Sequence, residues 1–199
     1  MWEKAEGDNS LMRITAGEYK GQNLVAPRDA TIRPTSDKVR QAIFNLVEHH
    51  PQLKDFSLAG GRVIDLFAGT GALGLEALSR GASYCLFVDN SAEGRALIRQ
   101  NIENLGLTGK TKIWRRDAAQ LGRLDTLNPF GLGFLDPPYR QQLIEPALTS
   151  LRDGGWLVPA AVIAAEMDES ETLAPVSGYG IIDHRCYGGT AVTLLRRTA

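Results

Sequence analysis

Beyond Gly61 the chain alternates short apolar runs with amphipathic stretches. Residues 62–67, 84–89, 112–115 and 156–166 read as buried strands, and Phe134-Leu135 ends another. Between them, 72–79, 92–105 and 142–151 carry helical spacing, the second capped by Ser91 and closed by Gly106. Two further runs, 180–187 and 191–196, flank Gly188-Gly189 and predict an antiparallel pair at a sheet edge. Nearer the start, 11–16 and 23–27 surround a glycine-bounded loop and predict a small hairpin. Thr35 or Ser36 can cap a following helix, whose Val39, Ile43, Leu46 and Val47 share one face and which stops before Pro51. Strands alternating with helices imply parallel βαβ units with right-handed crossovers. The expected fold is therefore α/β, a mostly parallel, doubly wound Rossmann-like sheet. It ends in an antiparallel hairpin and carries an N-terminal hairpin and helix. The expected organisation is a loose tail over 1–10, the N-terminal extension over 11–60 and the main domain over 61–199.

Composition narrows the class. The 199 residues, 43% hydrophobic and 23% charged, can bury a substantial core and exclude a fibrous or wholly disordered chain. No apolar run approaches a membrane span, and no signal-peptide pattern opens the chain. Cys85 and Cys186 make neither a disulfide framework nor a zinc set, and His49, His50 and His184 lack metal-ligand spacing. The expectation is a cytoplasmic protein without a metal site. Cys85, Trp114 and Trp156 fall in or beside strands and read as core side chains.

The first chemical signal is Gly69, Gly71 and Gly74, a G-x-G-x-x-G between a strand and a helix. Glycine permits a tight turn and close approach of a ligand to the backbone. Asp89 ends the next strand and can accept both hydrogen bonds of a ribose diol. Asp65 argues against a dinucleotide, because its charge sits where a pyrophosphate would lie. An adenosine ligand carrying a cation fits better. S-adenosylmethionine has a sulfonium and an ammonium group that Asp65 can attract. Asp117 closes the third strand and can accept the adenine amino group, with the Ala118 backbone at the ring edge.

The second signal is Asp136-Pro137-Pro138-Tyr139 at the end of a strand, the side on which open α/β sheets bind ligands. The prolines stiffen the backbone. Asp136 and the neighbouring carbonyls can accept the N–H groups of an exocyclic base amine, and Tyr139 offers a face on which the base can stack. Holding both N–H groups favours a pyramidal nitrogen with a localised lone pair, ready for in-line attack on a methyl group. Asp136 can then take the proton.

Together these residues resemble an S-adenosylmethionine-dependent amino-methyltransferase. More closely, the chain is similar to the bacterial enzymes that methylate guanine N2 in 16S ribosomal RNA, the guanine-966 type. The likeness runs from Arg13 to Leu195, through Lys20-Gly21, the block from Arg33 to Arg40, the glycine loop, the tetrapeptide, Gly154-Gly155-Trp156-Leu157 and Tyr187-Gly188-Gly189-Thr190. It implies Asp65, Gly69 and Gly71 at the methionine end, with Phe67 beside them. It implies Asp89 and Asn90 at the ribose, Asp117 and Ala118 at adenine, and Asp136 to Tyr139 at the target guanine. The implied partner is 16S rRNA or the assembling small subunit, met by a monomer. Gln22 departs from the arginine common after Lys-Gly. Gly131 and Gly133 replace the Asp and Val common before the tetrapeptide, so a weaker fourth strand is expected.

A net charge of −1 conceals segregation. The stretch 13–40 holds six basic residues against three acidic, 95–123 holds seven against two, and 152–183 is strongly acidic. Much of the second basic run reads as a solvated helix face. The N-terminal block is the favoured RNA contact, through Arg13, Lys20, Arg33, Thr35, Lys38 and Arg40. Three rival readings are weighed. An amino-methyltransferase of adenine N6 or cytosine N4 on DNA or other RNA shares the tetrapeptide. In the DNA case it needs a target-recognition insert for which 199 residues leave no room. A catalytically silent RNA-binding module is opposed by the intact tetrapeptide, and a nicotinamide dehydrogenase by Asp65.

Overall fold

Seven strands form one sheet in the order β3-β2-β1-β4-β5-β7-β6 in the computed structural model, which describes residues 12–27 and 36–198. The expected tail, together with Arg33 and Thr35, lies outside the described residues. The strands are β1 (Arg62–Leu66), β2 (Tyr84–Val88), β3 (Thr111–Trp114), β4 (Phe130–Leu135), β5 (Leu157–Asp168), β6 (Tyr179–Cys186) and β7 (Thr190–Arg197). The first five run parallel, and β7 pairs antiparallel with both β5 and β6. The helices are α1 (Asp37–His49), α2 (Ala72–Ser79), α3 (Ala92–Asn104) and α4 (Ile144–Asp153).

Period-two alternation along the strands divides the core between the two faces. On one face Val63, Phe87, Leu132, Phe134 and Val162 meet α1, α2 and α3; Phe44 of α1 packs on Phe134 with ring centroids 5.4 Å apart. On the other, Ile64, Leu86, Phe130, Leu135 and Ile163 meet Ala147, Leu148 and Leu151 of α4. Met12, Ile14 and Leu24 of the N-terminal segment belong to the first cluster, so this segment is packed on the sheet domain's own core. The expected hairpin is minimal, with one antiparallel bridge, Arg13 to Asn23, flanked by Ile14 N–H to Gln22 O at 2.9 Å and Leu24 N–H to Met12 O at 2.7 Å.

Caps follow the sequence. Ser36 Oγ accepts the Val39 N–H at 3.2 Å, and Ser91 Oγ accepts that of Gly94 at 3.1 Å. Helix α4 begins later than its apolar spacing implies, because Gln142 has φ 54° and cannot continue a right-handed helix. The fourth strand, expected to be weaker, runs six residues, with a register shift against β5 at Gly131, between Phe130 and Leu132. β4 sits in the sheet's interior, and a Cβ on Gly133 would stand 2.6 Å from Ile163 Cδ1, so this glycine makes room for β5. Cys85 and Trp156 are fully buried, but Trp114 is only half-buried, because β3 is an edge strand. Among the described residues no helix is long and apolar enough to cross a membrane.

Candidate active site

The carboxyl ends of β1, β2, β3, β4 and β5 converge on a cavity of about 700 Å³. Asp65, Phe67, Gly69, Asp89, Asn90, Asp117 and Ala118 all line it, as do Asp136, Pro137, Pro138 and Tyr139. Gly71 stands just behind, as the N-cap of α2. Residues separated by more than seventy positions are thus brought to one wall by parallel strands that all point their carboxyl ends the same way.

The loop from β1 to α2 is tightly wound. Phe67 at φ 59°, Gly69 at φ 54° and Gly71 at φ 80° are all left-handed. For Phe67 this costs about 1–2 kcal/mol, a local strain of the kind concentrated at functional sites. The two acids hold the loop in place. Asp89 Oδ2 accepts the Gly69 N–H at 2.7 Å, and Asp65 Oδ2 accepts the Gly74 N–H at 2.9 Å. Gly74 itself serves packing. A Cβ there would lie 2.4 Å from Phe87 Cε1 and 2.6 Å from Cys85 Sγ, so α2 could not settle on β2. Asp89 Oδ1 also accepts the Ser91 N–H at 2.7 Å, and Arg95 donates to the carbonyls of Asp89, Asn90 and Ser91, fixing that turn. Asp117 Oδ1 accepts the Ala119 N–H at 2.9 Å, a turn-capping role that coexists with its place on the cavity wall.

Electrostatically the cavity is acidic. Asp65 is 1% exposed, and burial pushes its carboxyl well above the usual carboxylate range. The Gly74 N–H opposes this in part, while the negative charges of Asp136 and Asp89 add to it. At the other end, Tyr139 donates its hydroxyl to Glu166 Oε1 at 2.8 Å and lies 2.9 Å from Thr190 Oγ1. Burial, with the charges of Glu166 and Asp136, pushes the phenol up, so it remains a neutral donor. Glu166 and Thr190 are buried residues of the cavity wall that sequence reasoning did not place in the site. The signal was available in Glu166, a carboxylate interrupting the apolar run of β5 one residue past Ala165, just as Asp136 stands one residue past Ala165's partner Leu135.

The basic N-terminal residues lie apart. None of Arg13, Lys20, Lys38 or Arg40 lines the cavity. Lys20 and Lys38 are exposed, and the Arg13 side chain is 64% exposed with Nε 3.4 Å from Asp37. Arg40 has to be corrected. Its side chain is 0% exposed, with Nη2 on Asp37 Oδ1 at 2.7 Å and on the Arg13 carbonyl, and Nε 3.5 Å from Glu76. A guanidinium held inside the fold by these groups has no surface to offer RNA. The helix N-terminus that precedes it does reach the site, since Ser36 and Val39 form part of the cavity wall.

Comparison with known proteins agrees with this architecture. YlbH of Bacillus subtilis (strain 168) is 34% identical over 189 residues, covering 94% of this chain and 99% of its own. Ribosomal RNA small subunit methyltransferase D of Escherichia coli (strain K12) is 33% identical over 195 residues, covering 94% and 91%. The solved structure of yhhF from Escherichia coli superposes with a TM-score of 0.78 at 29% identity, covering 96% of this chain and 99% of that one. The sheet is that of class I methyltransferases. A family model described as Conserved hypothetical protein 95 matches residues 12–196, almost the whole described fold. The chain belongs to that family.

Proposed function

We propose that this protein transfers a methyl group from S-adenosylmethionine to the exocyclic N2 amine of a guanine in 16S rRNA of the small ribosomal subunit. The observation that carries this reading is the convergence of Asp65, Asp89 and Asp136 on one cavity, with the ionised form of Asp65 disfavoured by burial and by its two neighbours. Such a wall repels phosphate and favours a cationic adenosine ligand. S-adenosylmethionine supplies, when bound, an electrophilic methyl on a sulfonium whose charge this wall offsets. The substrate follows from the relatives that act on small-subunit rRNA.

The chain's own residues then divide the work. Asp65 and the turn at Gly69 and Gly71 hold the methionine end, with Phe67 beside them. Asp89 and Asn90 hold the ribose, and Asp117 and Ala118 the adenine. Asp136 and the Pro137 carbonyl accept the N–H groups of the target amine, and Asp136 receives the proton released on methylation. Tyr139, kept neutral and oriented by Glu166 and Thr190, presents its ring to the guanine; such stacking contributes about 1–3 kcal/mol per base. Residues 11–60 serve as the RNA-facing extension of the domain, with Arg13, Lys20 and Lys38 at phosphates. The reading places a monomer in the cytoplasm.

The test supplies purified protein with methyl-labelled cofactor and either undermethylated small subunits, naked rRNA or DNA. Label is expected in N2-methylguanosine from rRNA. Label in N6-methyladenosine, or none in any substrate, overturns the reading. The cavity's electrostatics add a pH prediction. A bound cation favours ionised Asp65, so cofactor binding lowers its pKa and releases a proton wherever the free carboxyl is protonated. Affinity therefore rises with pH until the raised carboxyl has ionised, then levels off. Calorimetry in buffers of different ionisation enthalpy reads the proton release directly. An affinity independent of pH from about 5 to 8, with no proton released, counts against Asp65 as the cation's partner.

A further inference from the structure

The basic side chains of 95–123 stand in a different setting from the described arginines of the N-terminal block. Arg13 and Arg40 are both paired with Asp37, and Arg40 also with Glu76. Among the described residues no carboxylate lies within 4.0 Å of Arg95, Arg99, Lys110, Lys112, Arg115, Arg116 or Arg123. All but Arg95 are exposed. Lys110, Lys112, Arg115 and Arg116 lie on or next to β3, the outermost strand on that side of the sheet.

Two of these cations, Lys112 and Arg116, are held by an aromatic ring. Alternate residues of an extended chain share a face, which places Lys112, Trp114 and Arg116 together. Lys112 Nζ lies 5.1 Å and Arg116 Cζ 4.5 Å from the centre of the Trp114 ring. Trp114 in turn rests edge-on against buried Trp156, with centroids 5.6 Å apart, and Trp156 donates its ring N–H to Gly122 O at 2.8 Å. The half-buried indole is thus anchored by the core and orders two cations at the surface. Arg116 also donates to Leu121 O and lines the catalytic cavity beside Asp117. A track of unpaired positive charge therefore begins at the lip of the site and runs along the sheet edge.

We propose that the β3 edge is a second RNA-contacting surface, on which Lys110, Lys112 and Arg115 receive backbone phosphates of the strand flanking the target nucleotide. The inference rests on the rRNA methyltransferase reading. Cations without internal partners gain most from a polyanion, because binding releases the nucleic acid's counterions without breaking an ion pair in the protein. Ordering of Lys112 by Trp114 reduces the side-chain freedom lost on contact. A lysine guarding a free strand edge against aggregation needs charge alone, and neither the aromatic anchor nor continuity with the cavity.

The test uses the full chain and the triple variant Lys110→Gln/Lys112→Gln/Arg115→Gln, leaving Arg116 intact. The probe is undermethylated small subunits or their naked 16S rRNA, whichever the wild type methylates. The slope of log affinity against log salt is expected to fall by about 2–3, and KM for RNA to rise at least about tenfold at near-physiological salt. The kcat at saturating RNA and the cofactor Kd are expected to stay unchanged, and Lys112→Arg alone to keep the wild-type slope. A triple variant with wild-type slope and KM overturns this surface and leaves the activity reading intact. A wild type that neither binds nor methylates either RNA overturns both.

Discussion

Replacing Asp136 by alanine lowers methyl transfer by roughly 10²–10⁴-fold, the range expected when a positioned acceptor and proton carrier is lost. Cofactor affinity changes by less than about tenfold, because the loop that would hold the cofactor is fastened by Asp65 and Asp89 through the Gly74 and Gly69 N–H groups. Asp136→Asn separates two contributions. It keeps a carbonyl that can accept an amine N–H, but removes the charge and the proton site. Activity retained by the asparagine variant and lost in alanine assigns the effect to orientation; equal loss in both assigns it to the proton. A third readout follows from the cavity's electrostatics. Asp136 adds to the upward push on Asp65, so either substitution should move the onset of tight cofactor binding to lower pH. Equal loss of turnover and cofactor binding would show that Asp136 belongs to the cofactor and not to the amine.

This prediction draws on residues that were legible from the chain alone, and the reason is chemical. Asp89 and Asp136 each end an apolar run, Asp65 lies one residue inside the end of β1 and Asp117 three residues past the end of β3. A parallel sheet necessarily collects the carboxyl ends of its strands on one rim. The glycines were less transparent. The loop motif alone does not separate Gly71, which turns the chain, from Gly74, whose hydrogen faces Phe87 and Cys85 across the helix–strand contact. Gly131 and Gly133 diluted the pattern of β4, and the residue that needs the space at Gly133 is Ile163, thirty positions away. Charge was the hardest to place. Arg40 sits in a basic block and was read as surface, yet Arg40, Ile43, Phe44 and Val47 follow the i, i+3, i+4, i+7 spacing of one helix face. A cation on that stripe faces inward, and it must then find a buried partner that no local pattern identifies. The basic run at β3 was undervalued for the converse reason. Sequence counts acids and bases, but only the fold tells which are already paired.

The buried partner of Arg40 carries the largest expected effect on stability. Glu76 is 0% exposed and lies on α2, the helix that begins at the cofactor loop. Its carboxylate accepts the Thr15 N–H at 2.8 Å, the Thr15 hydroxyl at 2.7 Å, the Ala16 N–H at 2.9 Å and Arg80 Nε at 2.9 Å. Arg40 Nε stands 3.5 Å away. One side chain thus fastens the N-terminal segment and α1 to the helix behind the cofactor loop. Glu76→Ala removes one of the two carboxylates beside the buried Arg40 guanidinium and leaves two backbone N–H groups without an acceptor. The expected cost is about 3–5 kcal/mol, a large share of the roughly 5–15 kcal/mol that stabilises a typical domain. For a chain of this size the melting temperature should fall by roughly 6–20 °C. Glu76→Gln preserves the volume but not the charge and should recover only part. Combining Glu76→Leu with Arg40→Leu should restore more than either alone, since apolar pairs of similar volume can replace buried ion pairs. Hydrogen exchange localises the effect: Thr15 and Ala16 should lose protection first, ahead of β1 and β4. Near-normal stability in Glu76→Ala would mean that the apolar contacts of Met12, Ile14 and Leu24 hold the segment unaided. The consequence for function lies in the cavity wall. Ser36 and Val39 stand at the start of α1, which Arg40 and Glu76 help to tie to α2, so Glu76→Ala should weaken cofactor binding even where the protein remains folded.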